Sequence, residues 1–559
     1  TGVRIPGLPA FPMETWNFRI VHIAGALILG FLLYSARAFP EKEPARRHPL
    51  DYLAGIAVLP ALYACYTAMT FASDVAGGVM WNGVDEGIKM REMWHYGYPL
   101  IAATAAAIVI GWFRPRMRGQ IVASDLVLGV CAVAVAMYFI TIFGTLMRNA
   151  TGTPFAPIGM SLAAVAGTAM IMELTRRVAG LALVVIAGVF LVYVFVGDKL
   201  PGFLNAPDIA WARFFSQVYT DAGILGPTTA VSSTYIILFI IFAAFLQASK
   251  VGEYFVNFAF AAAGRARGGP AKVSIFASGL MGMINGTSAG NVVATGSLTI
   301  PLMKKVGYKP TTAGAVEAGA STGGQIMPPI MGAGAFIMAE ITGIPYTEIA
   351  IAAIIPAVLY FVSIYFMVDF EAAKLGMRGM REDELPKFRD MIRRVFLFLP
   401  IIILIGALFM GYSVIRAGTL ATAAAAVVSW FTPYRMGIRS AVKAFELAGI
   451  MSIQIIAVCA CAGIIVGVIS LTGVGARFSS VLLNIAEANQ LLALFFAMCI
   501  SILLGMGMPT TAAYAVAASV VAPGLVQLGI PTLTAHFFVF YFAVVSAITP
   551  PVALASYAA

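Results

Sequence analysis

Between Gly279 and Pro301 the chain reads GLMGMINGTSAGNVVATGSLTIP. The segment is apolar enough to enter a bilayer. Glycines and small polar residues (Asn285, Thr287, Ser288, Asn291, Thr295, Ser297, Thr299) nevertheless interrupt it where a spanning helix would carry Leu and Ile. Hydrocarbon offers a broken backbone no hydrogen bond, so such a segment survives only when buried in protein or facing a water-filled cavity. The reading that follows is a helical hairpin lining a solute path. A Gly-rich packing helix is the alternative, because small residues also let membrane helices approach closely.

The rest of the sequence supports a membrane setting. Of 559 residues, 60% are hydrophobic and only 11% charged, and the mean hydropathy is +0.92. That composition describes an all-α polytopic membrane protein and excludes an ordinary soluble domain. Cys65, Cys131, Cys459, Cys461 and Cys499 all fall in apolar runs without zinc-ligand spacing, and are read as packing residues. Four histidines are scattered, and neither a phosphate-binding P-loop nor a nucleophile or zinc-protease motif is present. The sequence therefore predicts neither ATP hydrolysis nor enzymatic chemistry.

A net charge of +10 suggests nucleic acid until the basic residues are placed. Apolar runs at 18–35, 51–72, 98–113, 123–147, 158–172, 178–197 and 231–249 approach helix-spanning length. If the N-terminus is outside, the loops carrying Arg37, Lys42, Arg46 and Arg47, then Arg114, Arg116 and Arg118, then Arg176 and Arg177, then Lys250, Arg265, Arg267 and Lys272 all lie inside. The hairpin begins just after Lys272 and ends just before Lys304 and Lys305, so both flanks are cytoplasmic. Further crossings at 312–341, 349–370, 395–412, 418–431 and 444–470 keep the later basic clusters inside as well. The positive charge is topology, and no nucleic-acid partner is expected.

A second interrupted segment, 491–529, carries GMGMPTT at 505–511 and has only Arg477 near it. Ser297 and Ser519, Pro301 and Pro523, Gly307 and Gly529, Pro328 and Pro550, and Pro329 and Pro551 are each 222 positions apart (519 − 297, 523 − 301). One copy opens on a basic side and the other on a side poor in Lys and Arg, the sequence signature of an inverted-topology repeat. Each hairpin is followed by a helix predicted to break at a double proline, since proline lacks the backbone donor and clashes with the preceding turn. Freed carbonyls there suit a hard cation, and half-helix N-termini suit an anion. Glu317, Gln325 and Glu340 lie in or beside the first broken helix. An ionisable group inside a membrane is costly enough to mark function by default. Glu340 falls near the outer end, where water solvates it; Glu317 is assigned the buried role, structural or in ion coupling.

GRARGGPAK at 264–272, NVVATGSLTIPLMKKVGY at 291–308 and GAVEAGASTGGQIMPPIMGAGAFIMAE at 314–340 resemble the fused permease of tripartite ATP-independent periplasmic (TRAP) transporters. ELTRRVAG at 173–180 and GDKLPG at 197–202 resemble the same subgroup. The likeness is dense from Glu173 to Glu340 and resumes at Gly505–Ala559. It implies a small-subunit-like block (1–177) joined to a large-subunit-like transport domain (178–559), with repeats at about 231–370 and 444–559. It further implies an elevator-type movement and sodium-coupled uptake of a small organic anion from a separate periplasmic binding protein at a bacterial or archaeal cytoplasmic membrane. Carried over, Asn285, Ser288, Asn291, Thr322 and Gly324 would form one sodium site. Gly507, Thr510, Thr511, Val544 and Ser546 would form the other. Thr287, Thr295, Ser297, Gln325, Pro328, Pro329, Pro550 and Pro551 are the expected transport-path residues. The chain has Asn285 where the family pattern opens with Ser, so the geometry and ion choice of the first site do not simply transfer. It also starts with Thr and stops at Ala559 inside an apolar run where relatives continue, which predicts an incomplete chain.

Other readings differ in testable ways. A stand-alone dicarboxylate or citrate carrier of inverted-repeat architecture would not need the long N-terminal helical block. A membrane-embedded enzyme would need converging titratable groups, where the hairpins offer hydroxyls and amides. A channel would need a continuous pore rather than two closed hairpins with broken midpoints.

Overall fold

The computed structural model describes residues 15–37, 49–116, 119–285, 287–381, 385–550 and 552–559. Every regular element among them is helical. Among the described residues, nine helices are long and apolar enough to cross a membrane, in keeping with the composition. The chain divides into two compact units: Thr1–Ser233 with Ile453–Phe478, and Thr234–Ser452 with Ser479–Ala559.

The first unit is held by charge buried in an apolar setting. The helix Thr15–Leu33 ends with carbonyls that have no partner within the helix. Three arginines supply one. Arg116 donates to the carbonyls of Phe31, Leu32 and Leu33 at 2.8–3.1 Å, Arg177 to Tyr34 at 3.1 Å, and Arg176 to Ala36 at 2.9 Å. Asp125, near the start of the helix Ala123–Phe143, accepts from both Arg116 and Arg177 at 2.7 Å. Glu173, one turn before the end of Ile158–Ala179, accepts from Arg176 and Arg177 at 2.8 Å. Three helices are thereby pinned at one end. A loop was expected at Arg176 and Arg177; both instead occupy the last helical turn. Gly180, with φ 89°, ends that helix, and cations there complement its negative end.

The second unit contains the repeat. Its first half has hairpin limbs Gly269–Asn285 and Ser288–Lys305, then Pro310–Gly323, a tight turn Gly324–Ile326 and Gly332–Thr342. Its second half has Gln490–Gly505 and Thr510–Val520 with the short Ala522–Gln527, then Thr532–Val545, a tight turn Ser546–Ile548 and Leu554–Ala558. Four element starts fall 222 residues apart (510 − 288, 532 − 310, 546 − 324, 554 − 332). The left-handed residues keep the same offset: Gly307 and Gly529, and, after the double prolines, Met331 and Ala553. An offset shared by helix starts, turns and positive φ values is a repeat of structure as well as of residue type.

Other departures from expectation have local causes. The segment after Lys250 was expected as a loop but forms the helix Val251–Ala263. Val251, Tyr254, Phe255 and Ala259 bury one face at helical spacing, and its 13 residues are too few to span. The crossing 312–341, by contrast, is broken where the double proline predicts, into Pro310–Gly323 and Gly332–Thr342 on either side of Pro328 and Pro329.

Asp125 compensates two buried guanidinium groups, so Asp125→Ala should destabilise by about 3–5 kcal/mol. A clear fall in the apparent Tm of detergent-purified protein is expected. A melting curve unchanged from the parent would show that the arginine cluster does not hold the first unit together.

Candidate functional site

In each half of the second unit, a hairpin tip meets the point where the following helix breaks. Glycine makes the first meeting possible. A Cβ on Gly324 would lie 2.5 Å from the Cα of Gly282 and 2.9 Å from the carbonyl oxygen of Ser278. In the second half, a Cβ on Gly505 would lie 2.5 Å from the hydroxyl of Ser546. In the first half the tight turn thus packs backbone to backbone on the end of the first limb, and in the second Gly505 makes room for the Ser546 side chain; close cover of this kind shields a broken helix from hydrocarbon.

Most of the predicted residues gather at these two crossings. Ser288, Asn291, Thr295, Thr322 and Gln325 are all buried. Ser288 accepts a hydrogen bond from the Gln325 amide, which ties the start of the second limb to the tight turn. Asn291 donates to the Ser278 carbonyl at 2.8 Å. The Thr322 hydroxyl has no hydrogen-bond partner among the described residues. Thr287 is the half-buried residue that precedes the second limb. The side chain of Asn285 lies outside the described residues. Ser297 is placed differently from the path residues. It is exposed, and its hydroxyl reaches only the Ala294 carbonyl of its own helix at 3.4 Å. Two residues from Thr295 and Thr299, it necessarily faces away from them.

In the second half, Gly507 adopts φ 73° in the turn between limbs. Thr510 and Thr511 open the next helix, and both are buried. Val544 and Ser546 flank the break, where the Ser546 hydroxyl donates to the Ala543 carbonyl at 2.6 Å. Pro550 follows this turn, and Pro551 lies outside the described residues. Pro328 and Pro329 line a cavity of about 260 Å³ with Ile351, Ile354, Val358 and Phe409. A second cavity, of about 400 Å³, has Pro328 with Phe276, Phe361 and Tyr365 in its wall. Both linings are apolar, so neither is built to hold a carboxylate.

Glu317 is fully buried, and five hydroxyls surround its carboxylate. Ser274 lies 2.6 Å and Thr299 2.5 Å from Oε2. Ser278, Thr295 and Ser321 lie 2.8, 2.5 and 3.0 Å from Oε1. Among the described residues no Lys, Arg or His pairs with it. Three of these hydroxyl positions, Ser274, Ser278 and Ser321, were not singled out from sequence, although a signal existed. Ser274 and Ser278, Thr295 and Thr299, and Glu317 and Ser321 are each four apart on a helix, so each pair presents one face a turn apart. At the basic end of the hairpin, Lys272 donates to Asp369 at 2.6 Å and lies 4.6 Å from the Tyr365 ring centre. Arg267 pairs with the same carboxylate.

Gly324→Ala has no flexible neighbour to move and should cost about 1–3 kcal/mol by overpacking. Gly406→Ala, in a helix with no atom within 4 Å of the added methyl, should be neutral or slightly stabilising. Equal melting temperatures for the two variants would contradict the close crossing.

A profile of the family described as "Tripartite ATP-independent periplasmic transporter, DctM component" matches residues 166–559. The chain is 23% identical over 321 residues to the C4-dicarboxylate TRAP transporter large permease protein DctM of Pseudomonas aeruginosa, covering 56% of this chain and 74% of that one. It is 21% identical over 343 residues to a putative TRAP transporter large permease protein of Haemophilus influenzae, covering 61% and 80%. With the DctM permease of Vibrio cholerae it shares 36% identity over 91 residues, 16% of this chain and 20% of that one. The paired hairpins, the apolar helices and the match over residues 166–559 lead to one assignment: this multi-pass membrane protein belongs to the DctM family, the large membrane permeases of TRAP transporters, and is a transporter component rather than an enzyme.

Proposed function

We propose that the chain takes up a small organic anion of the C4-dicarboxylate class, delivered by a separate periplasmic binding protein and driven by a sodium gradient across the cytoplasmic membrane. The observation that carries this reading is the pair of hairpin and broken-helix crossings, repeated at one offset within a TRAP permease. In an inverted repeat, such elements hold substrate and coupling ions near the midplane while one body moves against another. The two hairpins enter from opposite faces, the movement is elevator-like, and residues 1–177 act as the fused small subunit.

The coupling ions belong at the crossings. Asn285, Ser288, Asn291, Thr322 and Gly324 form the first sodium site; Gly507, Thr510, Thr511, Val544 and Ser546 form the second. Hydroxyl, amide and unwound backbone oxygens are hard neutral ligands suited to an alkali cation. Thr322 supports the assignment further, because a buried hydroxyl without a partner among the described residues carries a desolvation cost that an ion would remove. The dicarboxylate class comes from the names of the relatives in Pseudomonas aeruginosa and Vibrio cholerae.

Uptake by the permease in proteoliposomes should require both an inward sodium gradient and its binding protein. Full-rate uptake of free substrate with sodium and proton gradients dissipated would overturn the reading. Asn291→Ala or Thr322→Ala should raise the half-saturating sodium concentration several-fold, a loss of about 1 kcal/mol. Leu298→Ala, at a surface position 45% exposed, serves as the control and should leave it unchanged.

A further inference from the structure

The two halves share their helix boundaries but not the chemistry packed between the helices. Moving 222 positions from Ser274, Ser278, Thr295, Thr299, Glu317 and Ser321 leads to Phe496, Ile500, Ala517, Val521, Val539 and Ala543. All six are apolar, and Ala517, Val521, Val539 and Ala543 are buried. The second half therefore builds the same succession of limb, limb, helix and tight turn around hydrocarbon. A carboxylate is not a requirement of this fold.

The carboxylate in the first half is also uncompensated. Five hydroxyls solvate it much as water would, since each can rotate to donate its single proton. None of them brings a positive charge. A buried anion in a membrane protein ordinarily has a cationic partner or serves an ion pathway, and no Lys, Arg or His fills the first role among the described residues. The cage adjoins the first proposed ion site. Ser278, whose hydroxyl holds Glu317, presents its carbonyl to Asn291. Ser321, which donates to the same carboxylate oxygen as Ser278, directly precedes Thr322, whose hydroxyl has no partner among the described residues.

We propose that Glu317 supplies the fixed negative charge for the cation bound in the first half, which makes the two sodium sites unequal: one backed by a caged carboxylate, the other held by neutral dipoles alone. Glu317 acts through space on a neighbouring ion and is not itself a ligand. The hydroxyls keep the charge in place without a basic residue that would repel the ion. This rests on the sodium-coupled reading above.

The test uses the whole permease, as sodium-dependent uptake in proteoliposomes with its binding protein and as sodium-induced thermal stabilisation in detergent with choline as the reference salt. Glu317→Gln keeps the shape and removes the charge. It should raise the half-saturating sodium concentration about tenfold and reduce the steepness of the sodium dependence towards that of one site. Val539→Ala, the matching position in the second half, should leave sodium affinity unchanged. If Glu317→Gln does not fold, Thr299→Val and Ser274→Ala each remove one donor to the carboxylate and should raise the sodium requirement by about two- to fivefold. Folded variants whose sodium dependence stays within about twofold of the parent overturn the role of Glu317 while leaving sodium coupling intact. A parent protein indifferent to sodium in both measurements would overturn the sodium reading itself, and this assignment with it.

Discussion

A peptide group released from its helix inside hydrocarbon has nowhere to find a hydrogen bond except in the protein itself. That constraint organises the second unit. The double prolines and the hairpin tips free backbone groups, and the same regions are where glycines let chains meet without side chains between them. Gly282 lets the turn at Gly324 approach backbone to backbone, and Gly505 leaves room for the Ser546 side chain at the second break. Small residues at these positions are the condition for breaking a membrane helix. The break, in turn, supplies oxygens with no regular partner, which a neutral ion site needs.

Buried carboxylates are held in two ways, by arginines or by neutral donors alone. In the first unit, Asp125 and Glu173 neutralise arginines that cap the end of the opening helix, whereas the buried Glu92 accepts from the neutral donors Trp81, Tyr138 and the Gly159 amide. In the second, Glu317 is held by hydroxyls alone. The arginine pairs tie helix ends together. The hydroxyl cage keeps a carboxylate beside the residues proposed to bind sodium, and the fold does not require it, since Val539 occupies the matching place in the other half.

Much of this was legible in the sequence because proline, glycine and hydropathy speak directly about backbone. The offset between Pro328 and Pro550 marked the repeat, and helix starts at Ser288 and Thr510, or Gly324 and Ser546, follow it to the residue. Residues that interrupt an apolar run for a reason, such as Asn291 and Thr322, were also visible. Hydroxyls inside helices were harder to read. Ser274 or Ser278 alone commonly bonds a carbonyl one turn back, and only packing of three helices shows that they face one carboxylate. Helix Val251–Ala263 was missed because a search for spanning length overlooks short helices that cover a core. Ser297 was drawn into the site by composition, whereas its position between Thr295 and Thr299 puts it on the opposite face. Among the described residues no basic side chain lines the two cavities beside Pro328 and Pro329, so the substrate class came from relatives rather than from a pocket.

The central claim is that two halves built alike face opposite sides of one membrane. Single cysteines at Lys304, flanking the first hairpin, and at Glu487, flanking the second, both exposed, can be labelled with an impermeant maleimide. The background should lack the five native cysteines. In right-side-out vesicles the account predicts labelling at position 487 and protection at 304, with the pattern reversed in inside-out vesicles. Labelling of both positions from the same side would contradict it.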